Sequence, residues 1–317
     1  MRRSAFVWFI FLFIGGSLFA QSPQVSISCG IPYGSAQFPG KKHPQNLCFD
    51  FYEPAGESDT LRPLVITLFG GAFVFGNRDW ADMQAWCNRF AEHGYAAASI
   101  DYRVMPSEKF SHKRLIRTGY MAAQDVSAAV RFFKANSAKY RIDTNRIFLL
   151  GQSAGAVAII HALYMDEDER PSETFADPAL PPMHSQGTED AQKQSFSVAG
   201  AVLLWGAVFN PSIIDADENT PVCFIHGERD NILSPNSGYA FSVVGMPYTY
   251  GSKVMADRMK ELGFHSHELH LLEKEPHAFY FKYLYMYKLD EQKFNVCWKY
   301  AYDFIQKNSS SFRKHTP

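Results

Sequence analysis

Apolar residues are spaced in two alternating ways along this chain. Stretches 64–69, 146–150, 198–205 and 222–226 are near-continuous apolar runs, as expected of strands covered on both faces. With 47–52, 96–101 and 267–272 they make a series of predicted strands. Between them, 83–93, 118–139, 154–164, 251–262 and 294–307 carry apolar residues at helical spacing. Gly94 and Gly263 stand where helix C-caps belong. Strand and helix patterns alternate from about 46 to 305, which predicts β-α units around a mostly parallel central sheet with helices on both faces. The stretch 166–195 breaks the pattern: it is polar, it holds Pro171, Pro178, Pro181 and Pro182, and it has few large apolar residues. It is an insertion, read as either a mobile loop over the C-terminal edge of the sheet or a plain solvated connection.

The N-terminus changes the domain picture. Met1-Arg2-Arg3, an apolar run to Phe19 and then Ala20-Gln21 match the three parts of a secretory signal peptide. Residues 1–20 are therefore set apart as a leader and 21–317 as a single domain, exported to the periplasm or beyond. The apolar run is shorter than the roughly 20 residues of a spanning helix, so no stable membrane span is expected after cleavage. The 31 basic and 32 acidic residues nearly cancel and form no long basic block, which argues against nucleic acid and for a neutral small substrate. Five cysteines are an odd number. In an oxidising compartment Cys29 with Cys48 is the expected bridge, and Cys223 reads as a small buried hydrophobe.

Candidate chemistry lies at strand ends. Run 146–150 leads into Gly151-Gln152-Ser153-Ala154-Gly155 and then into a small-residue helix. A serine at so sharp a turn adopts strained backbone angles, so small residues must stand two positions to either side. Such a serine needs a base and an acid that orients it. Asp230 follows strand 222–226 in the loop His226-Gly227-Glu228-Arg229-Asp230, and His277 follows the last strand. Glu228 is the alternative acid, and His226 reads as structural. Strand 64–69 runs into Gly70-Gly71-Ala72-Phe73, whose backbone N–H groups at Gly71 and Ala72, with that of Ala154, make a candidate oxyanion hole. A glycine turn kept for packing is the other reading of that loop. The string His265-x-His267-x-x-His270 has no carboxylate or cysteine patterned with it and reads as surface histidines rather than a metal site.

With these residues in order, serine, acid, histidine, the chain resembles the α/β-hydrolase family. Within it, the resemblance is to hormone-sensitive-lipase-like carboxylesterases and to secreted bacterial carbohydrate esterases, over about 46–305. Asp101-Tyr102-Arg103-Val104-Met105-Pro106 is similar to the family's D-Y-R-x-x-P, and Asp143-Thr144-Asn145-Arg146-Ile147 to its D-x-x-R-I; both read as structural. Two departures stand out: the family's H-G-G-G is Phe69-Gly70-Gly71-Ala72 here, and Gln152 replaces the more usual acid before the serine.

The resemblance implies an acyl-enzyme esterase with no metal or organic cofactor. Its expected substrate is a short-chain acyl ester, small or polysaccharide-linked, with acetyl or feruloyl groups as candidates. A serine peptidase or amidase of the same fold is the alternative, and a non-catalytic binding module a third reading. Phe73, Phe75 and Trp205 read as acyl-pocket walls or as core, and 237–250 as a further wall. On a helix, Phe279, Tyr283 and Tyr287 share one face, as packing or as an aromatic platform.

Overall fold

The computed structural model describes residues 24–56, 60–105, 110–282 and 288–311. The expected leader, residues 1–20, lies outside them. An antiparallel pair, β1 (Val25–Ala36) and β2 (Gln45–Pro54), opens the chain, followed by β3 (Arg62–Leu68), α1 (Ala81–Glu92), β4 (Ala96–Ile100), α2 (His112–Ala135) and the single turn α3 (Ser137–Tyr140). The elbow joins β5 (Ile142–Gln152) to α4 (Ala154–Tyr164). After the one-turn α5 (Glu189–Gln192) come β6 (Gly200–Leu204), β7 (Ala207–Val208), β8 (Val222–Gly227), β9 (Ser237–Tyr239), β10 (Tyr248–Gly251), α6 (Ser252–Glu261), β11 (His267–Leu272) and α7 (Glu291–Ser311).

Eight strands make one sheet in the order β1-β2-β4-β3-β5-β6-β8-β11. From β4 to β11 every neighbour is parallel. This is the mostly parallel sheet that the alternating pattern predicts, in the α/β-hydrolase fold that the resemblance implies. All residues of β4, β6 and β8 are buried, because helices cover both faces. Helices α1 and α7 pack together through Trp86 on Phe294 and Phe90 on Trp298, with ring centroids 4.7 and 4.8 Å apart. Gly94 and Gly263 take positive φ, 86° and 79°, just past α1 and α6, as expected of C-caps.

Four features differ from the sequence reading. Strand β1 was not anticipated: most of its residues are exposed or half-buried, so it lacks the apolar run that marks the inner strands. A small second sheet, β7-β10-β9, is likewise too short to show a period. All five cysteines are free thiols; the β1–β2 register sets Cys48 opposite Pro32, so Cys29 is not its cross-strand partner.

The insertion 166–195, finally, is strapped along α2 rather than held over the sheet edge. Arg117 Nη1 donates to the carbonyl of Ala176 at 3.0 Å and its Nη2 to that of Pro178 at 2.6 Å. Gln124 Nε2 reaches Pro181 at 2.6 Å and Arg131 Nη2 reaches Gln186 at 2.6 Å. A proline-rich segment with little ladder of its own needs donors for its carbonyls, and α2 supplies them from one side.

Candidate active site

The elbow is built by close contact. Ser153 sits at φ 50°, ψ −117°, a strained conformation for a residue with a Cβ, and its N–H donates to Leu204 O of β6 at 2.9 Å. A Cβ on Gly155 would come within 2.6 Å of the carbonyl oxygens of Leu68 and Phe69, and one on Gly151 within 2.7 Å of Gly155 C. Neither glycine can be replaced without displacing backbone.

The structure brings Ser153, His277 and Asp230 together. The Ser153 hydroxyl is 3.0 Å from His277 Nε2, and His277 Nδ1 is 2.6 Å from Asp230 Oδ2. All three side chains are nearly buried. Asp230 Oδ1 accepts from the amides of Ile232 and Leu233 at 2.8 and 2.9 Å, which fixes the carboxylate plane. Burial alone would raise the Asp230 carboxyl; hydrogen bonds from His226 and His277 outweigh it and hold the group well below the ordinary carboxylate range. The alternative acid, Glu228, is exposed.

His226 was read as structural, and its side chain does more than fill space. Its Nε2 faces two acceptors, Asp230 Oδ2 at 3.1 Å and Leu233 O at 2.9 Å, while Nδ1 lies 2.6 Å from the Ser252 hydroxyl. The neutral ring with its proton on Nε2 satisfies every contact. His226 therefore positions the same carboxylate oxygen that holds His277. A lone histidine at a strand end gave no signal of this.

The loop after β3 carries three successive residues at positive φ, Gly71 (116°), Ala72 (55°) and Phe73 (60°), and a Cβ on Gly71 would meet Phe75 O at 2.1 Å. Tyr102 stacks on Phe69 at 4.2 Å and donates to Phe69 O at 2.7 Å, and the amide of Met105 donates to Phe73 O at 2.7 Å. The D-Y-R segment thus pins both ends of the loop, while Arg103 is buried on Asp125. Gly71, Ala72 and Ala154 all border Ser153: Gly71 lines one cleft beside it, Ala72 and Ala154 a second.

Phe73 and Trp205, read as walls of one pocket, lie in different clefts. Trp205 lines the first with Trp80, Asp82 and His277, and Phe73 lines the second with Phe209 and Phe241. Phe75 is exposed and packs on Trp80. From the stretch 237–250, Ala240, Phe241, Pro247 and Thr249 do form a wall of the second cleft. Phe279 and Tyr280 are buried in a turn rather than on a helix and pack on Trp205 at 5.1 and 4.9 Å; 283–287 lie outside the described residues.

Gln152 is buried and bonded to the carboxylate of Asp82, and Tyr280 Oη lies 2.9 Å from Gln152 Oε1 and 3.2 Å from Asp82 Oδ2. The acid missing before the serine is thus supplied from α1. Burial pushes the Asp82 carboxyl up to about 6 against the hydrogen bonds from Gln152 and Tyr280.

One part of the histidine string has ligand neighbours that spacing did not reveal. Ligand atoms of Cys223, Glu268 and His270 lie within 4.8 Å of one another, because β8 and β11 pair Cys223 with Glu268. Lys307 Nζ donates to Glu268 at 2.9 Å and His270 stacks on Tyr300 at 3.8 Å. The cluster lines neither cleft at Ser153.

The family model BD-FAE matches residues 49–209, more than half of the chain. The chain belongs to the BD-FAE family. The matched stretch contains the loop after β3 and the elbow; Asp230 and His277 lie beyond it. The probable isoprenylcysteine alpha-carbonyl methylesterase ICMEL2 of Arabidopsis thaliana is 33% identical over 114 residues, 36% of this chain and 24% of that protein. Lipase 1 of Geotrichum candidum is 26% identical over 136 residues, 41% of this chain and 24% of that protein. These matches thus span about a quarter of each relative's length. Among solved structures, Thermogutta terrifontis esterase 2 phosphorylated by paraoxon superposes with a TM-score of 0.60 at 18% identity, over 90% of this chain and 95% of that one. That likeness is one of fold.

Proposed function

We propose that this BD-FAE protein is an exported serine carboxylic-ester hydrolase that works through an acyl-enzyme on short-chain acyl esters, with acetyl or feruloyl groups on polysaccharide as its natural targets. The observation that carries the reading is the unbroken hydrogen-bonded chain from Asp230 through His277 to Ser153, 2.6 and 3.0 Å long, opening on two clefts. Ser153 Oγ attacks the ester carbonyl as His277 Nε2 takes its proton. The amides of Gly71, Ala72 and Ala154 receive the developing oxyanion. Collapse breaks the bond to the alkoxide, which leaves with the proton from His277; water then enters by the same route and releases the acid.

Three further points support the substrate class. The relatives named above are a probable methylesterase and a lipase. The second cleft is apolar and bounded by Phe73, Leu115 and Phe241, which suits an acyl group. The leader-like start, Met1-Arg2-Arg3 followed by an apolar run, favours a protein that meets its substrate outside the cytoplasm. Incubation with acetylated and with feruloylated xylan is expected to release acetate or ferulate, read by chromatography. No release beside good turnover of p-nitrophenyl acetate would remove the polysaccharide part of the reading; inertness toward both would remove the esterase.

A further inference from the structure

We propose that Gly119 on α2 is the seat of two aromatic walls of the second cleft, Phe73 and Phe209, and that its missing side chain sets how long an acyl group the protein accepts. The inference rests on the esterase reading above and adds a residue, itself outside the cleft, that fixes the cleft's size. Gly119 is buried in the interior of α2 without a positive φ, so its backbone conformation does not call for glycine. Glycine is the poorest helix former after proline. What accounts for it here is close approach.

Two rings make that approach. A Cβ on Gly119 would lie 3.3 Å from Phe209 Cε2, 3.5 Å from Phe209 Cζ and 3.5 Å from Phe73 Cε2. Both phenylalanines line the second cleft beside Ser153, whereas Gly119 does not. The rings therefore cover Gly119 from the cleft and rest their edges where a side chain would begin. Leu115, one turn earlier on α2, reaches the cleft directly, and residues four apart share a helix face. A side chain at 119 thus competes with the two rings for the same space.

Phe209 is also tied to α4. His161 Nδ1 lies 2.6 Å from the carbonyl of Val157, which places the ring proton there, and His161 Nε2 accepts from the amide of Phe209 at 3.4 Å. The imidazole packs on the Phe209 ring with centroids 4.8 Å apart. Burial pushes the His161 imidazole down to about 4, so it stays neutral and keeps this contact at ordinary assay pH. A ring held at its backbone and against a second ring answers a new neighbour by tilting, and a close-packed wall passes that tilt on to the cleft. Gly119 is accordingly a positioning residue: it touches no substrate and sets the walls that do.

The test measures kcat/KM for p-nitrophenyl hexanoate relative to p-nitrophenyl acetate. Gly119→Leu is expected to lower that ratio by about tenfold or more, and Phe209→Ala to raise it by about tenfold, the scale of one methylene gained or lost in an apolar pocket. Gly119→Ala, which needs only a slight shift of Phe209, should lower it by about two- to threefold. The double variant Gly119→Leu/Phe209→Ala should melt above each single variant, because the leucine fills the space the ring leaves. The ratio of butyl acetate to methyl acetate turnover should stay within about twofold of wild type throughout. A residue that only stabilises α2 would depress all esters together and leave both ratios intact. Unchanged hexanoate-to-acetate ratios overturn the inference, as does a shift confined to the alkyl acetates, which would put the alcohol in this cleft; in either case wild-type turnover leaves the esterase reading standing. Should Gly119→Leu not fold, Gly119→Ala and Phe209→Ala decide the matter. If wild type cleaves no ester at all, the esterase reading fails first and the inference with it.

Discussion

Ser153→Ala is expected to lower kcat for p-nitrophenyl acetate by about 10⁶-fold, the scale of loss when a serine nucleophile is removed, with the fold unchanged. The reason lies in what the substitution leaves alone. Alanine keeps the Cβ, so the strained φ of 50° is neither relieved nor worsened, and the hydrogen bond from the backbone N–H to Leu204 O remains. The backbone at Gly71, Ala72 and Ala154, the proposed oxyanion hole, is left in place, and a small residual rate is expected from it. What disappears is the hydroxyl 3.0 Å from His277 Nε2 that is proposed to form the acyl bond. Thermal unfolding should shift by no more than about 0.5 kcal/mol, so a stopped assay with matched circular dichroism separates lost chemistry from lost structure.

Asp230→Asn is expected to cost about 10⁴-fold in kcat, and the hydrogen bonds around the side chain explain why so small a change matters. Oδ1 accepts two backbone amides, from Ile232 and Leu233, and an asparagine must keep its carbonyl oxygen there. Its NH₂ then falls at the Oδ2 position, facing His277 Nδ1 and His226 Nε2–H. To avoid two donors in opposition, His277 must present Nδ1 as an acceptor and carry its proton on Nε2, the atom that should receive the serine proton. His226 meets an NH₂ where it had an acceptor. The expected readout is a collapse of kcat with little change in KM. A loss of less than about tenfold would mean that Asp230 does not set the tautomer of His277.

Much of the site was legible because its parts obey rules that act over a few residues. Gly151 and Gly155 stand where a Cβ would strike backbone, and the loops holding Asp230 and His277 follow long apolar strands. Their order along the chain then placed all three at one edge of the sheet. What spacing cannot carry is contact between distant segments. The pairing of Gln152 with Asp82 and Tyr280 spans 70 and 128 residues, and nothing near any of the three announces it. The same holds for the seat of His226 on Asp230 and Ser252, visible only once α6 is packed on β8.

The limits of the pattern are equally physical. Strand β1 went unread because an exposed edge strand needs no apolar face. The bridge between Cys29 and Cys48 was inferred from count and compartment, whereas register decides it, and the register sets Cys48 against Pro32. Residues 166–195 looked loose because they have few large apolar residues; their order comes from Arg117, Gln124 and Arg131 on α2, side chains that in sequence look like a solvated helix face. Phe73 and Trp205 were grouped because each follows the loop after β3 or the end of a central strand, and the fold sets them in different clefts at Ser153.

Brief exposure of the protein to diethyl p-nitrophenyl phosphate, followed by peptide mass spectrometry, tests the central claim most directly. One diethylphosphoryl group per chain on the peptide that holds Ser153, absent from Ser153→Ala and slow to form in Asp230→Asn, is the predicted result. Ester hydrolysis that persists with Ser153 unmodified, or a label that settles on another residue, would contradict it.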